Sequence, residues 1–416
     1  MQVAVSTAPP RPLEPEAARV SKPRRAAPAD AVRPTRAEVN LAHLRHNLRV
    51  MERALGAEGP RAQVWGVLKA DAYGHGAPAV ARTLERAGIA GLCVALLEEA
   101  VELRAAGITT PILVMGGYFG HRTDGIEEIL AHDLTPVVYD PEQIERIASV
   151  ARHDGHGEVK VHLKVDTGMG RLGSSPSELD RVFEAFGRHR QVRMDGLMTH
   201  LACADGADER PTREQLRLFA GIERRAAEAG LRARVKHAAN SAGALRFPEA
   251  RFDLVRPGIA LFGVTPFGAG EPAPFAKDLK AVMRVRTEIV ALRTIAKGER
   301  IGYGHTFEAA RPSVIATVPM GYADGLARSL SNQGHALVRG KRAGIAGTVS
   351  MDLTMLDVTD HPGVKVGDEA VFLGPQEGPL GRDAIGAGEV AALTGTIPWE
   401  VLTSISRRVP RFYREP

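Results

Sequence analysis

Short apolar runs of strand length, each followed by an amphipathic stretch of helix length, recur between residues 64 and 255, and that alternation most constrains the fold. The runs are Val64–Lys69, Leu92–Ala95, Ile112–Met115, Pro136–Tyr139, Val159–Val165, Gly196–Met198, Val235–Lys236 and Leu254–Val255. Glu98–Leu103 and Glu214–Phe219 typify the stretches between them. Parallel strands can be joined only by a crossover, so strands alternating with helices predict an α/β fold with a helix-covered parallel sheet. Eight units predict an N-terminal (β/α)₈ TIM barrel. The last two runs are very short, and an open doubly wound sheet is the alternative reading. Ahead of the barrel, Glu38–Leu41 leads into a helix, with Asn40 suited to cap it and Leu41, Leu44 and Leu48 at helical spacing.

Past a Pro-bearing connection at 272–274 the pattern changes. Met283–Ile295 and Ser313–Pro319 read as strands, Ala336–Ile345 as a hairpin, and the remainder is punctuated by glycine. The expected division is a basic extension over 1–36, a barrel over 37–277 and a mostly-β C-terminal domain over 278–416. The extension, rich in Ala, Pro and Arg, lacks apolar periodicity and is expected to be disordered. It also carries four of the five net positive charges, which leaves a near-neutral body and argues against nucleic acid as a partner. No apolar stretch resembles a signal peptide or spans a bilayer, so no membrane partner and a cytoplasmic location are expected. Cys93 and Cys203 suit a reducing compartment. Neither they nor the histidines show metal-ligand spacing, so no metal is expected.

In a barrel, chemistry gathers at the C-terminal ends of the strands. Lys69 ends the apolar run Val64–Leu68, and lysines are seldom buried without a partner or a chemical task. Desolvation lowers an ammonium's pKa and yields a free amine able to attack carbonyls, so this segment points to a Schiff-base lysine. Tyr73, in the loop that follows, and Arg171, His200, Asn240, Ser241 and Arg256 fall at strand ends too. Any one of them could be an ordinary surface or core polar residue; as a set they mark one face. Gly168–Gly173 also fits the G-x-G-x-x-G dinucleotide pattern, but it lies inside the fifth repeat with an arginine at its fourth position. A tight loop that aims Arg171 inward fits better. In the C-terminal domain, Gly302-Tyr303-Gly304, Gly321-Tyr322 and Ser350-Met351-Asp352 form similar loop-like clusters.

These segments, Val67–Gly76, Lys164–Gly173, Thr199-His200, His237–Ser241, Val255–Ile259, Tyr303-Gly304 and Ser350–Asp352, closely resemble the bacterial alanine racemases, fold-type III pyridoxal 5'-phosphate (PLP) enzymes. The resemblance runs from about residue 37 to the C-terminus. It implies a homodimer with shared active sites, small amino-acid substrates, and interconversion of L- and D-alanine through a PLP aldimine, supplying D-alanine for peptidoglycan. It implies that Lys69 carries the cofactor and is one base, and that Tyr303 from a partner subunit is the other. His200 and Arg256 would support that tyrosine, with Arg256 facing the pyridine nitrogen. Arg171 would lie near the substrate carboxylate, held by Lys164 if that residue is carbamylated. Tyr73, Ser241, Gly258 and Ile259 would cradle the phosphate, Asn240 would also bind the cofactor, Met351 would lie near the substrate carboxylate, and Tyr322 and Asp352 would lie near the access channel. One departure is Trp399, where the family usually has tyrosine beside the phosphate. Alternatives are a racemase of serine or of broader range, and a non-catalytic PLP-binding protein, against which a β domain bearing Tyr303 argues. A fold-type III decarboxylase would carry an acid at Arg256.

Overall fold

The computed structural model describes residues 32–56, 62–118, 124–268 and 275–415. The 272–274 connection and all but the end of the basic extension lie outside them. The extension's last residues are anchored. Arg33 makes a paired contact with Asp324 (2.9 and 2.8 Å), and the Thr35 hydroxyl donates to the Pro319 carbonyl at 2.5 Å.

The first strand, β1 (Arg36–Asn40), runs into the helix Leu41–Gly56, which the Asn40 side chain caps by accepting from the His43 amide at 3.1 Å. Eight parallel strands follow: β2 (Gln63–Val67), β3 (Gly91–Val94), β4 (Ile112–Val114), β5 (Thr135–Val138), β6 (Val159–Lys164), β7 (Val192–Met198), β8 (Val235–His237) and β9 (Leu254–Val255). They form one sheet in the order β8-β7-β6-β5-β4-β3-β2-β9. At the seam, Asp253 N donates to Lys236 O (3.1 Å) and Arg256 N to Ala239 O (2.9 Å). The sheet therefore curls into a nearly closed barrel, and the doubly wound alternative falls. β3 and β4 are buried throughout, which is why they read as unbroken apolar runs. The helices lay an apolar stripe on this sheet, as Leu179, Val182, Phe183 and Phe186 do from Leu179–Arg188.

The second unit is built on strands β10 (Met283–Glu288), β11 (Ala291–Ile295), β12 (Arg300–Ile301), β13 (Phe307–Glu308), β14 (Ser313–Val318), β15 (His335–Val338), β16 (Lys341–Ile345), β17 (Thr354–Asp357), β18 (Glu369–Gly378), β19 (Gly381–Ile385) and β20 (Arg411–Arg414). Its main sheet runs β11-β14-β17-β16-β15-β18-β10-β1-β20, with β19 on β18; β12 and β13 pair separately. The expected hairpin is β15–β16, turning through Arg339 and Gly340 at φ 55° and 86°. The run Met283–Ile295 is two strands, because Ile289 leaves the ladder to bond Asp368 O at 2.9 Å.

β1 belongs to this sheet, antiparallel to β10 and parallel to β20. Its Glu38, nearly buried, draws Arg36 (2.9 Å), Arg284 (3.1 Å), Arg286 (3.2 Å) and Arg414 (2.7 Å). The segment is short and its partners, β10 and β20, lie far along the chain, so local pattern showed only the helix it feeds.

Candidate active site

Lys69 stands just beyond the end of β2, whose register is held by Leu68 N donating to Cys93 O at 2.8 Å. The backbone then winds the wrong way. Ala70, Asp71, Ala72 and Tyr73 all have φ of 53–54°, a left-handed turn that opposes Cβ to the following carbonyl. Such residues cost about 1–2 kcal/mol each. Strand-to-turn geometry of this kind puts Lys69 and Tyr73 on the wall of one cavity of about 530 Å³. Lys69 is exposed there rather than enclosed as its apolar run suggested. Its amine is still lowered, first by the surrounding protein and then by the Arg171 charge, against which Glu99 pulls it up.

Arg256, at the end of β9, lines the same cavity and is almost wholly buried. Among the described residues it has no carboxylate partner. Its guanidinium donates to Thr199 O (2.8 Å) and Ala238 O (3.0 Å), rests on His237 Nδ1, and reaches His200 Nδ1 at 3.3 Å. His237 Nε2 lies 2.9 Å from His162 Nδ1. Burial, then the Arg256 charge, holds His200 and His237 well below the ordinary histidine value, so both rings are neutral acceptors. Arg256 itself is brought down to about 10 by burial. Its Nε is buried without a hydrogen-bond partner, a donor aimed at something the chain does not supply.

The other end of the cavity suits an anion. Tyr73, Asn240, Ser241, Gly258, Ile259 and Trp399 all line it. Asn240 caps Ser241–Arg246 by accepting from Gly243 N at 2.9 Å, and Ser241 Oγ accepts from Gly258 N at 3.0 Å. A Cβ at residue 258 would stand 2.2 Å from the Tyr73 hydroxyl, so only glycine leaves this cradle open. The orphaned Arg256 donor, the glycine gap and the exposed amine suit a flat, phosphorylated aldehyde with a ring nitrogen, and the residues present fit PLP.

Lys164, the last residue of β6, is buried, and burial followed by the Arg171 and Arg256 charges lowers its amine to about 8. After it, the Asp166 carboxylate accepts from Gly168 N (2.9 Å), Met169 N (2.8 Å) and Gly170 N (2.9 Å). Those amides are satisfied within the chain and no helix starts until Leu179, so the glycine pattern here is a folded loop rather than a dinucleotide site. Arg171, at the loop's end, makes no hydrogen bond or ion pair among the described residues.

Tyr303, Tyr322, Met351 and Asp352 do not line this cavity. They come from separate segments yet gather in one region: Thr348 Oγ1 donates to Tyr303 O (3.0 Å), while Tyr322 N and Ala323 N donate to Ser350 O and Met351 O (both 3.0 Å). Tyr303 is 73% exposed, the extreme for an aromatic residue here. Asp352 pairs with Arg408 at 2.7 Å. Sequence reasoning missed Met115, Met169, Asp205, Pro266, Ile397 and Thr403 on the cavity wall. Met115 directly follows β4, so the strand-end rule applied there would have found it. Among the described residues no cluster of metal-ligating side chains occurs and no helix is long and apolar enough to cross a membrane.

Residues 39–266 match the family described as alanine racemase, N-terminal domain, and residues 282–413 match alanine racemase, C-terminal domain. The chain is 71% identical to an alanine racemase of Sorangium cellulosum, over 92% of this chain and all of that one. It is 40% identical to one of Geobacter sulfurreducens, over 92% of this chain and 98% of that one. Among solved structures, it resembles alanine racemase from Streptomyces coelicolor (TM-score 0.85, 35% identity, 93% of this chain and 100% of that one). The Bacillus anthracis enzyme with bound L-Ala-P is similar at TM-score 0.84 and 33% identity, covering 92% of this chain and 96% of that one.

Proposed function

This chain belongs to the alanine racemase family, and from that premise we propose how its own side chains carry out the interconversion of L- and D-alanine. It is a PLP-dependent racemase, joining a TIM-like barrel to a mostly-strand domain. Bound PLP supplies an electron-withdrawing ring that acidifies the substrate's α-proton. Lys69 would hold the cofactor through its amine, and that amine would move the substrate's α-proton on one face. Its lowered ammonium supports this, since a base must spend part of its time unprotonated near neutral pH.

Racemisation needs a proton donor and acceptor on the opposite face as well. We assign that task to the partner subunit's Tyr303, so the working unit is a homodimer with shared sites. The exposure of this tyrosine on a loop pinned at its backbone supports the reading. Phenol is a weak base at its usual pKa near 10 and needs a hydrogen-bonding neighbour. Neutral His200, backed by Arg256, provides one.

Arg256 would offer its unpartnered Nε to the cofactor's pyridine nitrogen. An arginine does not readily give up a proton, so it steadies the ring without fully charging it, which disfavours transamination. That buried, unpartnered donor facing Lys69 across one cavity carries the proposal. Tyr73, Asn240, Ser241, Gly258, Ile259 and Trp399 hold the phosphate end. Arg171 receives the substrate carboxylate together with Met351, steadied by a carbamate on Lys164. Tyr322 and Asp352 flank the access channel.

The division we propose is a cofactor-binding unit over 37–277, a unit over 278–416 that brings Tyr303, and an extension over 1–36. The enzyme would act in the cytoplasm and supply D-alanine to peptidoglycan. The test is a racemisation assay across several L-amino acids with absorbance at roughly 420 nm, where such chromophores absorb. Activity on alanine with that band is expected; absence of the band would sink the reading.

A further inference from the structure

The left-handed turn between Lys69 and Gly74 closes on its own Gly74 N–Ala70 O bond (2.9 Å), but the free groups at its two ends are held from outside. At its start, Glu99 in the helix Leu97–Ala105 accepts from Ala70 N at 2.6 Å, while its other oxygen accepts from Ala95 N (2.9 Å) and Leu96 N (3.1 Å). At its end, Arg411 of β20 donates to Gly74 O at 2.9 Å. The same guanidinium takes Ser406 O, Val409 O and Ile405 O, each at 2.6 Å, so its position is set by the C-terminal segment. That segment presses close. A Cβ at Gly74 would stand 2.5 Å from Leu402 O, and one at Gly76 would stand 1.9 Å from the Tyr413 hydroxyl. His75 sits between, with Nδ1 2.9 Å from both Ala72 O and Tyr73 O.

We propose that Glu99 and Arg411 are positioning residues that clamp the turn at its two ends, so that seating of the C-terminal strand keeps Lys69 and Tyr73 aimed at the cofactor. Neither touches the cavity's reacting groups. Glu99 fixes the amide immediately after Lys69; Arg411 fixes the carbonyl immediately after Tyr73. The turn's backbone is unfavourable for the residues it contains, and its internal Gly74 N–Ala70 O bond leaves Ala70 N and Gly74 O to the two anchors, so with either gone the turn loosens at that end. The two side chains then lose their common direction. The proposal rests on Lys69 being the cofactor lysine.

The experiment compares Arg411→Lys and Glu99→Gln with the parent in two states. Lysine keeps the charge but cannot span four carbonyls; glutamine keeps one acceptor oxygen where two are used. In the apo protein, amide hydrogen exchange over residues 70–77 is expected to quicken by roughly tenfold in each variant, the loss of one hydrogen bond to a charged group. Exchange in β14 and β17 should not change. In the holo protein, the apparent Kd for PLP is expected to rise by a similar factor and the visible circular dichroism of the bound cofactor to fall. Unchanged exchange over 70–77 with unchanged PLP affinity in a folded variant would overturn the clamp. Should Arg411→Lys fail to fold, Glu99→Gln, which leaves the C-terminal strand's own bonds intact, decides by the same readouts. Borohydride reduction and peptide mapping of the parent tests the premise separately: a cofactor adduct on another lysine would defeat the assignment of Lys69, whereas the apo exchange rates bear on the clamp alone.

Discussion

Arg256 rests its guanidinium on the Nδ1 lone pair of His237, so the positive charge buried in the barrel faces a neutral ring instead of a carboxylate. That arrangement leaves its Nε without a hydrogen-bond partner among the described residues. Because Arg256 must donate, His237 Nε2 carries the proton and donates onward to His162 Nδ1. One arginine thus dictates the tautomers of two histidines.

Replacing Arg256 by Glu would place an acid beside that nitrogen and make the ring a stronger electron sink. Racemisation is expected to fall by about 100-fold or more, the scale of removing one well-placed donor. Pyruvate formed from alanine should rise relative to D-alanine. Chromatographic measurement of both products checks this; no relative increase in pyruvate would count against the role.

Lys69→Ala and Tyr303→Phe should each abolish or nearly abolish turnover, with the cofactor band lost only in the first. Mixed after dissociation and reassociation, the two inactive variants are expected to recover about a quarter of parental activity, because half the dimers then carry one intact site of two. No recovery, with subunit exchange verified, would show that both residues act within one chain.

Lys164, with its amine near 8, keeps an appreciable free-base fraction at neutral pH and is open to carbon dioxide. Intact mass under bicarbonate should show the gain of one carbon dioxide, lost in Lys164→Ala. A spectrum unchanged by that substitution would remove the carbamate from the site.

Trp399 lines the cavity beside Ser241 and Gly258, and its indole offers one donor and no acceptor. Trp399→Tyr removes bulk and adds an acceptor. The ratio of serine to alanine turnover is expected to rise by up to about tenfold, with a changed PLP affinity. Identical values for both would refute a role for this departure.

His75 and His162 are held down to about 4 by burial, below the ordinary 6.5. Their folded-state values lie under the unfolded ones, so the stability they contribute is complete above about 6.5 and drains away as pH falls toward 4. By pH 5 the loss is on the order of 2 kcal/mol for each histidine. Urea midpoints measured between pH 7.5 and 5 check this: His162→Gln should show a shallower fall than the parent. An identical slope would remove His162 from the account.

Much of this was legible locally. Alternation of apolar runs and helices predicts a barrel because parallel strands need crossovers. The strand-end rule collects Lys69, Tyr73, Arg171, His200, Asn240, Ser241 and Arg256 before any coordinate is known, and the structure sets all of them but Arg171 on one cavity wall. The chain's own pattern could not show that β1 belongs to the second sheet, since Ala37 pairs with Val285 in β10 and Arg411 in β20, both far along the sequence. Nor could it show that Lys69 is open to its cavity.

The sequence by itself determined which elements form and which chemistry collects at the strand ends, because periodicity and residue type act over a few positions. Tertiary structure alone decided the handedness of the turn after Lys69 and the isolation of Arg256 from any carboxylate. Both depend on residues distant in the chain, Glu99 and Arg411 in one case and His237 in the other, that meet only when the barrel closes and the C-terminal strand seats.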